Sequence, residues 1–365
     1  MSIPFLNIFK DRSVFITGHT GFKGSWLALW LSRIGAKVTG YSLAAPPSTP
    51  NNFTVSAVRE LLAAHYQADI RDRERLQSAL SAARPDVVLH LAAQSLVRAS
   101  YAAPHETFDT NVLGTASMLD AVRSLRRPCV VIVVTSDKCY ENREQLWGYR
   151  ETDPLGGFDP YSASKGAAEI VVASYRNSFF NPARVQEHGV KLASVRAGNV
   201  IGGGDWAKDR IVTDMVASLA AGDPVQVRNP KAIRPWQHVL EPLSGYLQLA
   251  ALMLESSDSS LCSGWNFGPR SGDEAPVGVL VDSFCQEWGG GKWQDASDPN
   301  QVHESSILRL STDKALSKLN WKPRWSFQQT VQCTARWYLD YVKHPARNMR
   351  DACIADIDRY ETAGN

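Results

Sequence analysis

The stretch VFITGHTGFKGSWLALWLSRIG, residues 14–35, decides the fold. Val14-Phe15-Ile16 is a β-branched and aromatic run that reads as a strand. Gly24 to Ile34 carries the apolar pattern of a helix, which Gly35 ends. Between them lies the turn Thr17-Gly18-His19-Thr20-Gly21-Phe22-Lys23-Gly24. Gly18 permits a tight bend, Gly21 lets backbone approach a ligand with no Cβ in the way, and Gly24 lets the helix pack close to the sheet. Free N–H groups at the positive end of that helix suit a diphosphate. The spacing G-x-x-G-x-x-G is one residue longer than the usual dinucleotide fingerprint. With a strand before it and a helix after it, the turn predicts dinucleotide binding; the bland alternative is a plain strand-to-helix turn.

Further along, Lys37 to Tyr41, Asp86 to Leu91 (DVVLHL) and Val130 to Val134 (VVIVV) are short apolar runs separated by helical patterns. Such runs suit parallel strands buried on both faces. The predicted fold class is α/β, a doubly wound parallel Rossmann sheet over residues 1–195, with some later segments returning to it. Residues 196–365 are expected to form mainly a smaller mixed α/β lobe that binds substrate. Gly202-Gly203-Gly204-Asp205-Trp206, Arg228-Asn229-Pro230, Arg234-Pro235-Trp236 and Gly289-Gly290-Gly291 read as its loops.

The 365 residues are 44% apolar, enough for a sizeable core. Lys and Arg number 39 against 37 Asp and Glu, so the net charge is +2. That balance, without a local basic stripe, excludes a nucleic-acid binder driven by bulk charge. No apolar run reaches about 18 residues, so no membrane span is expected, and no secretory signal is legible in Met1 to Lys10. The six cysteines, at 129, 139, 262, 285, 333 and 353, form no C-x-x-C pair and no zinc-ligand spacing with histidine. They read as buried thiols in a reducing compartment, the cytoplasm, and no metal is expected.

Asp159-Pro160-Tyr161-Ser162-Ala163-Ser164-Lys165 is the most informative stretch for chemistry. Asp159 suits an N-cap and Pro160 the first helical position. Tyr161 and Lys165 then share one helix face. A phenol titrates near 10; bringing it to about 7 takes about 4 kcal/mol of phenolate stabilisation. A neighbouring ammonium and the positive helix end supply part of this. The pair can then take a proton from an alcohol while hydride leaves the same carbon for a nicotinamide. Alone, Y-x-x-x-K is common on exposed helices. Thr135-Ser136-Asp137-Lys138, however, caps the apolar strand before it, where folds of this class bind ligands.

Taken together, these residues resemble the extended short-chain dehydrogenase/reductases that modify nucleotide sugars. The match runs through TGHTGFKG, LHLAAQSLV at 89–97, Thr110-Asn111-Val112, TSDK, YSASK and RAGNVIGGGDW at 196–206. HTGFKGSW at 19–26, TSDKCY at 135–140, RNSFFNP at 176–182 and RPWQHVLEPLSGY at 234–246 resemble the 4,6-dehydratase branch that acts on CDP-glucose. The resemblance implies NAD as cofactor and a redox-neutral cycle. C4 of the sugar is oxidised, water is lost across C5 and C6, and the stored hydride returns to C6. The implied product is a CDP-4-keto-6-deoxy sugar, a precursor of dideoxy sugars in bacterial surface polysaccharide such as O-antigen.

Carried onto this chain, the resemblance makes Ser136 the hydroxyl on the 4-oxygen, Tyr161 the base and Lys165 its activator. Asp137 and Lys138 become the elimination pair, with the division of labour open. Lys138 departs from the Glu found in related dehydratases, and as a base it must shed its proton at a cost of about 4 kcal/mol. Its structural alternative is a salt bridge with Asp137 or Glu169. The cofactor set comprises Gly18, His19, Thr20, Gly21, Phe22, Lys23, Gly24, Asp69, Ile70, Leu91, Ala92, Ala93, Asn111, Thr135, Tyr161 and Lys165. Asp69 meets the adenine amine or serves as a helix N-cap. The second strand ends in Tyr41-Ser42-Leu43, with no acid for a ribose and no Arg for a 2′-phosphate, so this signature alone leaves NAD against NADP open.

For substrate, Gln94 and Ser95 border the nicotinamide or sugar, Ser136 the 4-oxygen, and Asn199 and Arg234 the diphosphate. Arg210, His303 and Arg309 are further candidates; His303 reads equally as a loop histidine, and Arg234 as a surface arginine. Trp265, Trp321, Trp325 and Trp337 are expected in the core, and Cys139 to turn away from the site. Two other functions fit the same framework: a 4-epimerase of the same fold, which needs no elimination pair, and a non-catalytic nucleotide-binding protein, which would have no use for Tyr161 and Lys165. Relatives pair through helices, including the one bearing Tyr161, so a homodimer or homotetramer is expected.

Overall fold

A computed structural model describes residues 3–270, 272–298 and 307–363; His303 lies outside the described residues. The first half alternates strand and helix. In chain order these are β1 (Ser13–Thr17), α1 (Phe22–Arg33), β2 (Lys37–Ser42), β3 (Ala64–Gln67), α2 (Arg73–Ala83), β4 (Val87–His90), α3 (Gly114–Leu125), β5 (Cys129–Val134), α4 (Pro160–Ser178) and β6 (Val190–Arg196). The second half adds α5 (Ile211–Ala221), α6 (Leu240–Glu255), β7 (Gly264–Asn266), α7 (Val277–Trp288), α8 (Phe327–Lys343) and α9 (Arg350–Thr362).

The seven strands form one sheet in the order β7-β6-β5-β4-β1-β2-β3. All neighbours run parallel. All six residues of β5 are buried, as expected for a strand covered on both faces. One face packs against α2, α3 and α4 through Phe15, Leu76, Leu80, Met118, Leu119, Val131, Val133, Val172 and Leu192. The other packs against α1 and α6 through Val14, Ile16, Leu27, Trp30, Ile132, Leu243 and Leu247, and this core continues into the helices beyond residue 270. Residues 240–266 therefore complete the sheet layer, with β7 pairing Trp265 to Val195. Trp265, Trp321, Trp325 and Trp337 are all buried, and the six cysteines are buried and free.

The strand order reverses between β1 and β4, which pair Thr17 with His90. Ligands of open α/β sheets bind beyond the strand ends at such a point. Among the described residues, no helix is long and apolar enough to cross a membrane.

Glu241, fully buried in the first turn of α6, pins the C-terminal segment. Its carboxylate accepts from Arg324 N (2.9 Å), Trp325 N (2.7 Å) and the Tyr360 hydroxyl (2.8 Å). Burial nevertheless raises it to about 7. A folded-state value above the unfolded one stabilises at low pH, and that contribution is lost as pH rises through about 7. From about pH 4.5 to about pH 8, Glu241→Gln should gain about 3 kcal/mol in stability relative to the parent, measured by urea denaturation at both ends.

Candidate active site

A cavity of about 920 Å³ opens at the switch point, lined by both halves of the chain. At its floor, Gly18 adopts φ +73 and lies so close to β4 that a Cβ would stand 2.7 Å from Ala92 N. A Cβ on Gly24 would stand 2.2 Å from the carbonyl oxygen of Gly18. These two glycines thus close the turn against β4 and against the first turn of α1. Gly21 is the N-cap of α1 and offers no side-chain acceptor. Thr20, Gly21, Phe22 and Lys23 line the cavity around this uncapped, positively polarised end. The donor set fits a dinucleotide diphosphate. Leu91, Ala92, Ala93, Asp69, Ile70 and Thr135 line the cavity beside it.

His19 does not line the cavity, contrary to its place in the expected cofactor set. Its ring is wholly buried beneath the turn, against Gly40, edge-on to Phe53, with Nε2 2.7 Å from His65 Nδ1. Burial pushes it down to about 3, so it stays neutral. Asn111 is likewise withdrawn. Its amide bonds the Gln94 backbone on both sides (2.8 and 2.9 Å) and the Ser164 hydroxyl (2.8 Å), so it braces the wall and does not itself line the cavity. Asp69 does line the cavity but is not a helix cap; Asp72 caps α2, accepting from Arg75 N at 3.1 Å. The Asp69 carboxylate instead grips Arg71 (2.6 and 3.0 Å), which holds it below the usual carboxylate range. At the end of β2, where an acid is often found, the Ser42 hydroxyl meets that of Thr20 at 2.7 Å.

On the facing wall, α4 starts as its sequence dictates. Asp159 accepts from Ser162 N at 2.9 Å and Pro160 occupies the first turn. Tyr161 and Lys165 both line the cavity, at 8% and 6% exposure. The Lys165 ammonium is turned to Val134 O at 3.5 Å. Burial pushes Lys165 down to about 8. It pushes Tyr161 up to about 12, with a Ser136 hydrogen bond opposing. The sequence predicts that the Lys165 ammonium and the helix end stabilise the phenolate in part; in the structure the phenol nevertheless stands above its ordinary value. Desolvation of the phenolate outweighs them.

Beyond β5, Ser136 caps a single turn of 3-10 helix, Asp137–Cys139. Its hydroxyl donates to Asp137 Oδ1 at 2.9 Å. Asp137 Oδ2 is buried without a hydrogen-bond partner. It abuts Gly198 so closely that a Cβ there would stand 1.7 Å away. Lys138 is half-buried on the cavity wall and makes no ion pair among the described residues. Glu169 is engaged by Arg196 at 2.8 Å. Cys139 is fully buried, and burial holds its thiol well above the usual range.

From the second half come Asn199, Arg210 and Arg234, all lining the cavity with Gln94 and Ser95. Asn199 has φ 46, a left-handed conformation uncommon outside glycine. Arg210 pairs with Asp205 at 3.4 Å, and Arg234 is 8% exposed with Nη1 on Ile233 O at 3.1 Å. Arg309 lies off the cavity, spent on Leu146 O at 3.0 Å. Arg98 and Arg228 were missed by the sequence. They line the cavity on either side of Asp209, at 3.8 and 3.2 Å. No motif marks them; the meeting of three distant segments does. Among the described residues, no group of three or more His, Cys, Asp or Glu side chains is placed to hold a metal ion.

Fold and cavity together define an extended short-chain dehydrogenase/reductase. A family model described as GDP-mannose 4,6 dehydratase matches residues 15–334, and the chain belongs to that family. A CDP-glucose 4,6-dehydratase from Salmonella typhimurium is 48% identical over 337 residues, 92% of this chain and 93% of its own length. Among solved structures, a dTDP-glucose 4,6-dehydratase from Streptomyces venezuelae with NAD bound is similar at TM-score 0.75 and 21% identity, over 92% of this chain and 99% of that one. An epimerase from Methanothermobacter thermautotrophicus is similar at TM-score 0.77 and 19% identity, over 93% and 96%.

The glycine turn carries a stability prediction. Gly24→Ala must push its new methyl against the carbonyl of Gly18, so unfolding should become easier by about 1–3 kcal/mol, read by calorimetry.

Proposed function

We propose that the chain converts CDP-D-glucose to CDP-4-dehydro-6-deoxy-D-glucose and water, using NAD. The observation that carries this is the Ser136-Asp137-Lys138 turn facing Tyr161 and Lys165, in a chain 48% identical to a CDP-glucose 4,6-dehydratase along 92% of its length. Bound NAD+ supplies the acceptor for the C4 hydride and the donor that returns it to C6. The turn 18–24 and the end of α1 hold its diphosphate, and Leu91 to Ala93 border it. Arg234, Arg210 and Asn199 hold the substrate diphosphate.

Tyr161 takes the 4-hydroxyl proton while Ser136 hydrogen-bonds the 4-oxygen. The 4-keto group then acidifies the C5 proton. Asp137 and Lys138 divide the remaining proton work: one removes the C5 proton, the other protonates the departing C6 hydroxyl, and the proton taken from C5 is given back to C5 as hydride returns to C6. The unpartnered Oδ2 suits Asp137 to carrying a proton, and the absence of an ion pair among the described residues leaves the Lys138 amine available.

The product suits a route to deoxy and dideoxy sugars of surface polysaccharide, in the cytoplasm. Assembly as a homodimer or homotetramer through a face that includes α4 is supported by Ile170 and Phe179, which stand exposed on or beside α4 at 60% and 43%.

Purified protein incubated with CDP-, dTDP-, UDP- and GDP-glucose, with and without added NAD+, should form a 4-keto product from CDP-glucose in preference to the others. No keto product with any nucleotide would defeat the reading. Tyr161→Phe should lower kcat by about 10²–10⁴-fold, measured as keto-sugar formation. Lys138→Met should stop water loss yet leave the C4 hydride step, seen as exchange of deuterium from C4-labelled substrate into the nicotinamide. A 4-epimerase would instead tolerate Lys138→Met.

A further inference from the structure

The backbone amides of the turn carrying Ser136, Asp137 and Lys138 make only long internal bonds. Lys138 N reaches Ser136 Oγ at 3.2 Å and Cys139 N reaches Ser136 O at 3.3 Å. Its shoulders are held much more firmly. On one side, the Thr135 hydroxyl donates to Glu169 Oε1 at 2.5 Å. On the other, Arg196 Nη1 donates to the Tyr140 hydroxyl at 2.6 Å, which donates to Asn266 Oδ1 at 2.8 Å. Glu169 and Arg196 are bound to each other by two parallel bonds of 2.8 Å. Ser194 fills the remaining side of the carboxylate at 2.6 Å. Both side chains are nearly excluded from water, Glu169 at 3% and Arg196 at 5% exposure.

Glu169 stands one helical turn beyond Lys165 on α4. A single ion pair thus joins both shoulders of the Ser136–Lys138 turn to the helix that carries Tyr161 and Lys165. Buried pairs of this kind seldom repay their desolvation, and well-packed apolar residues often serve stability as well. What an apolar pair does not supply is direction: five charge-assisted bonds hold Thr135, Tyr140, Ser194 and the pair itself in one fixed arrangement.

We propose that Glu169 and Arg196 are positioning residues, whose bidentate pair sets the Ser136–Lys138 turn against Tyr161 and Lys165 so that one bound sugar is served by both groups of side chains. The proposal rests on the dehydratase reading above. Glu169 also opposes the burial that lowers Lys165.

The test replaces the pair as a unit, Glu169→Met with Arg196→Met, and separately cuts one shoulder with Tyr140→Phe, which leaves the ion pair intact. Amide hydrogen exchange is followed in the protein without substrate, alongside thermal melting and steady-state kinetics with CDP-glucose. In both variants the amides of Lys138 and Cys139 should exchange about tenfold faster or more, while those of β5 keep the parental rate. The kcat should fall about tenfold or more in the double variant and less in Tyr140→Phe, with KM within about twofold of the parent. Parental exchange at the turn in both variants overturns the proposal. So does exchange that quickens equally throughout β5 with kcat following the melting temperature. If the double variant does not fold, Tyr140→Phe decides alone. A parent protein inactive on CDP-glucose would sink the dehydratase reading, and the exchange arm would still decide whether the pair holds the turn.

Discussion

The molecule turns on a backbone contact that leaves no room for a side chain, the approach of Gly18 to the Leu91–Ala92 segment. A Cβ on Gly18 would fall within 2.7–2.9 Å of three backbone atoms there. β1 is the strand at which the sheet order reverses, with β2 on one side and β4 on the other. Its end must bend sharply enough to start α1 while staying bonded to both neighbours. Gly18 N reaches Tyr41 O at 2.8 Å, and Leu91 N reaches Thr17 O at 3.1 Å. This bend creates the crevice, aims the start of α1 into it, and brings Leu91, Ala92 and Ala93 to its rim.

From the same place a polar chain of fixed direction runs to the opposite wall. Leu91 N and Ala92 N both donate to Thr17 Oγ1 at 3.2 Å, so the hydroxyl proton of Thr17 goes to His90 Nδ1, 2.7 Å away. Burial holds His90 near 3, hence neutral, and its remaining proton lies on Nε2, toward Thr115 Oγ1 at 3.2 Å. Thr115 donates to Asn111 O at 2.7 Å. The Asn111 amide holds Gln94 and Ser164, and Ser164 donates to Tyr161 O at 2.7 Å. Each buried group has one workable orientation, so the glycine turn, the Gln94 loop and the start of α4 form a single rigid frame. The Glu169–Arg196 pair extends that frame to the Ser136 turn.

What was legible in the sequence is what local chemistry decides. The β-branched runs gave β1, β2, β4 and β5 to within about a residue, and Asp159-Pro160 gave the start of α4. The glycines gave the bend because no other residue makes it. Long-range packing decided the rest. His19 belongs to the turn by sequence, yet the rings of Phe53 and His65 claim its side chain. Asn111 sits in a stretch of π-helix (Asp109–Leu113), which turns its amide toward Gln94 and Ser164 and away from the cavity. β7 is three residues long and has no periodicity to read; only β6 makes Gly264–Asn266 a strand. Arg98 and Arg228 meet across Asp209 because three segments converge there, and convergence leaves no trace in spacing.

The same separation governs the chemistry of the pair on α4. Spacing places Tyr161 and Lys165 on one face; it does not set their protonation. Burial acts on both, in the sense that disfavours charge: the phenol rises to about 12 and the amine falls to about 8. To work near neutrality the phenolate needs about 7 kcal/mol beyond what the side chains around it supply, at about 1.4 kcal/mol per tenfold. Ser136 opposes the rise, but its single proton is also drawn to Asp137 Oδ1. A neutral phenol is thus the resting preference of the chain. Positive charge brought beside it by a ligand is worth most in the low-dielectric pocket that raised the phenol in the first place. Burial then does two things at once. It holds the phenol protonated when no such charge is near, and it strengthens the effect of any positive charge that comes beside it.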